Sequence, residues 1–272
     1  MNDSRFGYDR VWQQNKLHYT LLILAGGLLV LPCAGARTDD YTAIYTAKTQ
    51  YVEVDVRIDN RLKAFPRLYA QLFAEGKKFG VENKEETAAQ WREDKSVFRG
   101  LAYNFSRVYR LRAAAGKYVS VIVDESQFTG GAHPNHGSTT ILWDREKKVR
   151  TDFKTLFKDP ADNSFDMQAL SKLVLDALAA EKKARDIPFE LTDMWFKDWK
   201  PEFKMFGEPS LAPSTEAGKS SGVTFHFSPY EVGAYVEGDY VAFVPASALM
   251  PLLTPEAQRL FGGARPESDK DG

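Results

Sequence analysis

Hydrophobic residues change their spacing several times along this chain, and each change marks an element. From Gln50 to Asp59, Val52, Val54, Val56 and Ile58 alternate with Glu53, Asp55 and Arg57. That period of two belongs to a strand with one buried and one wet face. Between Arg61 and Gly80 the apolar residues Leu62, Phe65, Leu68, Tyr69, Leu72 and Phe73 recur at three- and four-residue steps, as one face of a helix requires. Pro66 lacks the amide that an interior turn donates, so the regular helix should begin or kink there. A separate, more polar helix is expected from Asn83 to Asp94.

The middle of the chain returns to period two. Leu101 to Ala113 and Lys117 to Ser126 read as a hairpin across Ala114, Ala115 and Gly116. A glycine-rich loop follows, then Ser138 to Asp144, a charged turn, and Val149 to Phe157. Strands in series imply an antiparallel meander with a helix on one face.

The second half has a different rhythm. Asn163 to Arg185 is amphipathic, with Met167, Leu170, Leu173, Val174, Ala177 and Leu178 on its buried side and Ser164 as a cap. Gly207 to Gly222 has the composition of a loop. Val223 to Phe227 and Tyr240 to Val244 read as strands. Thr254, Pro255 and Gly262 then supply the cap, first turn and stop of a short helix.

These elements give an expected α+β fold, with antiparallel sheets, helices packed on one face and two interlocked subdomains. The expected boundaries are a signal peptide at residues 1–36, a polar lead-in at 37–47, subdomains at 48–145 and 146–262, and a charged, flexible tail at 263–272.

The first of these rests on a separate pattern. Basic Arg5, Arg10 and Lys16 precede an uncharged apolar run, Tyr19 to Pro32, which is shorter than the roughly 20 residues a spanning helix needs. Ala34 and Ala36 are small residues suited to signal peptidase, so cleavage after Ala36 and a periplasmic or secreted chain are expected. The membrane enters only through an uncleaved signal or a lipid anchor on Cys33, and Pro32 suits the latter poorly. Cys33 is the single cysteine. Once it leaves with the signal, the exported chain has no thiol and no disulfide framework.

Composition narrows the function further. The chain has 272 residues, 43% of them hydrophobic, and a formal net charge of −1. Balanced charge gives no electrostatic footprint for nucleic acid.

The stretch Phe128 to Gly137, FTGGAHPNHG, is the densest in candidate chemistry. Gly130 and Gly131 permit positive φ or close backbone approach, Pro134 stiffens the turn, and His133, Asn135 and His136 supply polar groups. A zinc site wants three or four converging donors, and only His226 or a distant acid would complete one with His133 and His136. No metal or cofactor is therefore expected. No serine sits in a Gly-x-Ser-x-Gly elbow. Asp124 and Glu125 form the least ordinary acidic pair for glycoside chemistry, while Tyr230, Tyr235, Trp195 and Trp199 either line a surface for sugar or protein or pack in the core.

Two motifs together resemble a known family. One is the strand, FTGGAHPNHG, a strand ending Trp143-Asp144, and VRTDFKTLFKD; the other is GVTFHFSPYEVGAYVEGDYVAFVP. The stretch from Lys48 to Leu253 is similar to the paired domains of unknown function in RsiV-type anti-sigma factor ectodomains and beside the catalytic domain of PdaC-type peptidoglycan deacetylases. In the former the domain is a lysozyme receptor. The resemblance implies an α+β recognition module of the cell envelope, without enzymatic activity, that binds a protein such as lysozyme or a peptidoglycan fragment. Only the short stretch Met1 to His18 precedes the apolar run, so direct sigma-factor control is not expected. The candidate binding residues are Gly130, Gly131, His133, Asn135, His136 and Tyr230. An envelope hydrolase or esterase using His133 with a nearby acid is the alternative.

Overall fold

The computed structural model describes residues 40–269. The expected signal segment, Cys33 and the cleavage point after Ala36 lie outside the described residues. The class is α+β, with one six-stranded and one three-stranded sheet.

The first sheet takes its strands in chain order: β1 (Tyr41–Lys48), β2 (Val52–Asp59), β3 (Tyr103–Ala115), β4 (Tyr118–Phe128), β5 (Asn135–Asp144) and β6 (Val149–Thr151). From β3 onward it is the expected antiparallel meander. β2 and β3, however, pair in parallel. Their connection is α1 (Pro66–Glu93), because a parallel neighbour can be reached only by a crossover long enough to return the chain.

Two corrections concern this region. The expected lead-in at 37–47 is largely strand β1, paired antiparallel with β2. A register shift between Ala43 and Tyr45 breaks the alternation that would have announced it. The two expected helices are also one helix of 28 residues beginning at Pro66. Its Gly76 and Gly80 mark close packing rather than a break: a Cβ at Gly76 would stand 2.8 Å from Ile44 Cδ1, and one at Gly80 would run into the Tyr45 ring.

After the first sheet come α2 (Phe165–Ala184), β7 (Glu208–Leu211), β8 (Gly222–Phe227) and β9 (Tyr240–Pro245), the last three forming the second sheet, antiparallel throughout. Ser164 caps α2 as expected, accepting from the Met167 amide at 3.1 Å. β7 falls in the stretch that composition marked as loop. It is four residues long and contains Pro209, too short for a periodic signal. Thr254 caps the short helix Pro255–Gln258.

β4 shows how the layers stack. Tyr118 to Val123 are all buried, because both faces of the strand are covered. Val119, Val121 and Val123 share a core with Leu68 and Leu72 of α1. On the other face, Tyr118 joins the core of α2 and the second sheet, and Ser120 Oγ accepts the Leu211 amide of β7 at 3.1 Å. The helix expected on one face of the sheet is thus joined by a second sheet on the other. Within the described part of the expected tail, Asp269 is 9% exposed and held by Arg112 and Arg265. Among the described residues, no helix is long and apolar enough to cross a membrane.

Candidate functional site

The two motifs that carried the resemblance meet in space. The loop between β4 and β5 lies against the connection between β8 and β9. Gly130 has φ of 87°, with open space where a Cβ would sit, so the turn needs glycine for its backbone alone. Gly131, expected to serve in the same way, has neither a positive φ nor a close neighbour, its nearest atom being the His133 carbonyl at 3.7 Å.

His133 stacks on Tyr235, with ring centroids 3.7 Å apart and 23° between planes. Its Nδ1 faces the Pro134 carbonyl at 2.9 Å, and a carbonyl only accepts, so Nδ1 donates. Nε2 is left to accept from the Tyr230 hydroxyl at 3.2 Å. The Tyr235 hydroxyl donates to the same Pro134 carbonyl at 2.7 Å and lies 3.4 Å from His136 Nδ1. His136 Nε2 is 3.3 Å from Asp239 Oδ1. Burial raises the Asp239 pKa above the ordinary aspartate value, and attraction to His136 only partly offsets that. Asn135 opens β5 opposite Gln127. Of the expected set, His133, His136 and Tyr230 therefore come together, joined by Tyr235 and Asp239.

Tyr230 carries a further mark. It sits at φ of 72°, a region that costs a non-glycine residue about 1 kcal/mol or more, and its amide donates to the Gly233 carbonyl at 3.0 Å. Tyr230 is 46% exposed, and Val236 nearby in the chain is 91% exposed. Exposed apolar surface and a strained backbone coincide in one connection, as they do at functional sites.

His226 is elsewhere. Its Nε2 lies 2.8 Å from Ser210 Oγ, and burial, with the nearby charges of Arg112 and Arg110, pushes its pKa down to about 3. Among the described residues, no three His, Cys, Asp or Glu side chains are placed to hold a metal ion. The paired acids also separate. Asp124 bonds Arg110 and Ser138, whereas Glu125 pairs with Arg107 at 2.7 Å. Trp199 Nε1 donates to Ser171 Oγ at 2.9 Å and packs, as does Trp195, against the core.

Beside the aromatic cluster lies a cleft of about 900 Å³. Arg110, Arg112 and Asp124 reach it from the first sheet, His226 and Phe243 from the second, and Arg185 from the cap that ends α2. Sequence reading passed over these arginines. For Arg110 and Arg112 the signal was the run Arg107 to Arg112, which puts charge on both faces of one strand.

This architecture defines an α+β domain with two stacked sheets. Residues 154–247 match the profile of the DUF3298 family, described as a protein of unknown function. No curated protein matches the chain. A crystal structure of a DUF3298-family member from Bacteroides fragilis is 17% identical, with a TM-score of 0.50, covering 81% of this chain and 94% of that one. Another DUF3298-family protein, from Pseudomonas aeruginosa, is 16% identical, with a TM-score of 0.48 and coverages of 82% and 94%. At such identity the Bacteroides likeness speaks for the fold alone.

Proposed function

We propose that the exported chain is a non-enzymatic recognition module of the cell envelope, similar in role to the RsiV-type ectodomain. Its ligand is a protein such as lysozyme or a peptidoglycan fragment. One observation supports this most: the His133–Tyr235 stack joins two distant loops into a fixed platform that carries exposed Tyr230. A preformed surface loses little entropy on binding, and exposed tyrosine supplies contact area with few rotatable bonds.

An envelope hydrolase is the second reading, and one geometry favours it. Asp239, His136 and Tyr235 stand in series at 3.3 and 3.4 Å, an acid orienting an imidazole toward a hydroxyl. It would use His136, since the ring nitrogens of His133 already face Tyr230 and Pro134. Against it, the Tyr235 proton is committed to the Pro134 carbonyl.

The test is retention of residues 37–272 on immobilised lysozyme and on purified cell wall. Retention on one of them, lost in Tyr230→Ala with an unchanged melting temperature, is the expected result. Indifference to both removes the reading. Turnover of wall substrate that His136→Ala abolishes would replace it with the hydrolase.

A further inference from the structure

Charge is distributed unevenly among the arginines of the cleft. Arg61, Arg110 and Arg185 each have their own carboxylate, from Asp59, Asp124 and Glu181. Asp269 instead serves two guanidiniums. Arg112 grips both of its oxygens, Nη1 on Oδ1 and Nη2 on Oδ2, the latter at 2.9 Å. Arg265 Nε donates to Oδ2 and its Nη2 to the Asp269 carbonyl, each at 2.6 Å. Arg112 Nε is buried with no hydrogen-bond partner, although such donors are usually satisfied.

The two arginines are better anchored than the carboxylate they hold. Arg112 stands on the long strand β3, at the register shift between Leu111 and Ala113. Arg265 lies 4.7 Å over the Phe243 ring. The preceding Ala264 is tied to Thr215 in both directions, its amide to Thr215 Oγ1 at 3.0 Å and its carbonyl to the Thr215 amide at 2.9 Å. Asp269 arrives on a single 3-10 turn, Glu267–Asp269, closed by its own amide on the Pro266 carbonyl. A fork of guanidinium donors around a carboxylate is the geometry by which proteins recognise such groups.

We propose that Arg112 and Arg265 form a carboxylate-recognition subsite of the cleft, which Asp269 fills in cis until a carboxylate-bearing peptide displaces it. The inference rests on the recognition reading above and gives it a ligand class. A single negative charge replaces the one that Asp269 withdraws, whereas a dianion such as phosphate would meet the lining acids Asp124, Glu181 and Asp239. The cleft, at about 900 Å³, has room for a short peptide attached to that carboxylate.

The probe is N-acetyl-alanyl-alanine, with its C-terminal amide as control, titrated calorimetrically into residues 37–272. Asp269→Asn should bind the acid at least tenfold more tightly than the parent chain, because the tethered competitor is gone. The amide should not bind, and Arg112→Gln should abolish binding of the acid. Equal affinity in the parent and Asp269→Asn, or equal binding of acid and amide, overturns the proposal. Should Asp269→Asn not fold, the unaltered chain gives the readout. Saturating acid should speed hydrogen exchange of the Asp269 amide at least tenfold, and unchanged exchange is the contrary result. Peptide binding without retention on lysozyme or wall would sink only the envelope reading. The reverse would sink only the carboxylate subsite.

Discussion

Lys182 Nζ lies 2.8 Å from Glu237 Oε2, in a contact where the lysine side chain is 3% and the glutamate side chain 18% exposed. The pair fastens the end of α2 to the connection that presents Tyr230 and Tyr235. Tyr240 donates to the same oxygen at 2.6 Å, and the Ala234 amide donates to Oε1 at 2.9 Å. Desolvation would raise the Glu237 pKa, but these donors and Lys182 outweigh it and hold it lowered. Arg185 completes the clamp, donating to the Glu237 and Asp239 carbonyls at 3.1 and 2.9 Å. The connection that carries Tyr230 and Tyr235 is therefore held from below by charge-assisted bonds.

Removing one partner should be costly. Lys182→Met leaves Glu237 without its cation, and losses from broken buried pairs run to roughly 3 kcal/mol. Urea denaturation should show a loss of that order, with part recovered in the Lys182→Met, Glu237→Gln double variant. A neutral single variant would mean that the pair does not anchor the connection.

Tyr230 should behave as a residue retained for contact at the expense of backbone ease. Asparagine tolerates its left-handed conformation, so Tyr230→Asn should leave the melting temperature unchanged or slightly raised. Ligand retention should fall at least tenfold. A clear loss of stability would instead make Tyr230 a structural residue.

The two loop glycines should separate. Gly130→Ala forces a side chain into φ of 87° and should cost about 1 kcal/mol. Gly131→Ala should cost less than about 0.5 kcal/mol. Thermal unfolding of both variants checks the contrast, and equal losses would contradict it.

Two groups give opposite pH dependences. The His226 pKa falls from 6.5 to about 3 in the folded chain, so its contribution is fully present above 6.5 and lost as pH drops toward 3. The Glu231 pKa rises from 4.5 to about 7 through desolvation, opposed by the Ser228 amide on its carboxylate. Its contribution is present below 4.5 and lost as pH rises through 7. Glu231 is exposed as a whole residue even though its carboxylate is desolvated. Solvent screening makes it the weaker of the two. Melting between pH 4 and 7 should therefore be less acid-sensitive in His226→Gln and slightly more so in Glu231→Gln. A parent-like slope in His226→Gln would contradict the assignment.

Strong local periodicity made much of the fold legible. β2, the β3–β4 hairpin, α2 with its Ser164 cap and the β8 and β9 strands all follow patterns that one stretch of chain carries alone. What escaped depends on partners far away in sequence. β1 is hidden by its register shift, and Gly76 and Gly80 look like breakers until Ile44 and Tyr45 are seen beside them. The tail looks polar because Asp269 satisfies its charge on Arg112, 157 positions away. The site follows the same division. His133, His136 and Tyr230 were visible as residue types in unusual loops, whereas the joining of those loops by Tyr235 and Asp239 is a tertiary fact.

The most direct test of the central claim incubates residues 37–272 with purified peptidoglycan, and separately with lysozyme. Both the chain retained and any soluble wall fragments released by the chain alone are then measured. The account predicts retention on one of the two ligands, dependent on Tyr230, with the wall's mass profile unaltered. Release of new fragments, or retention on neither ligand, would contradict it.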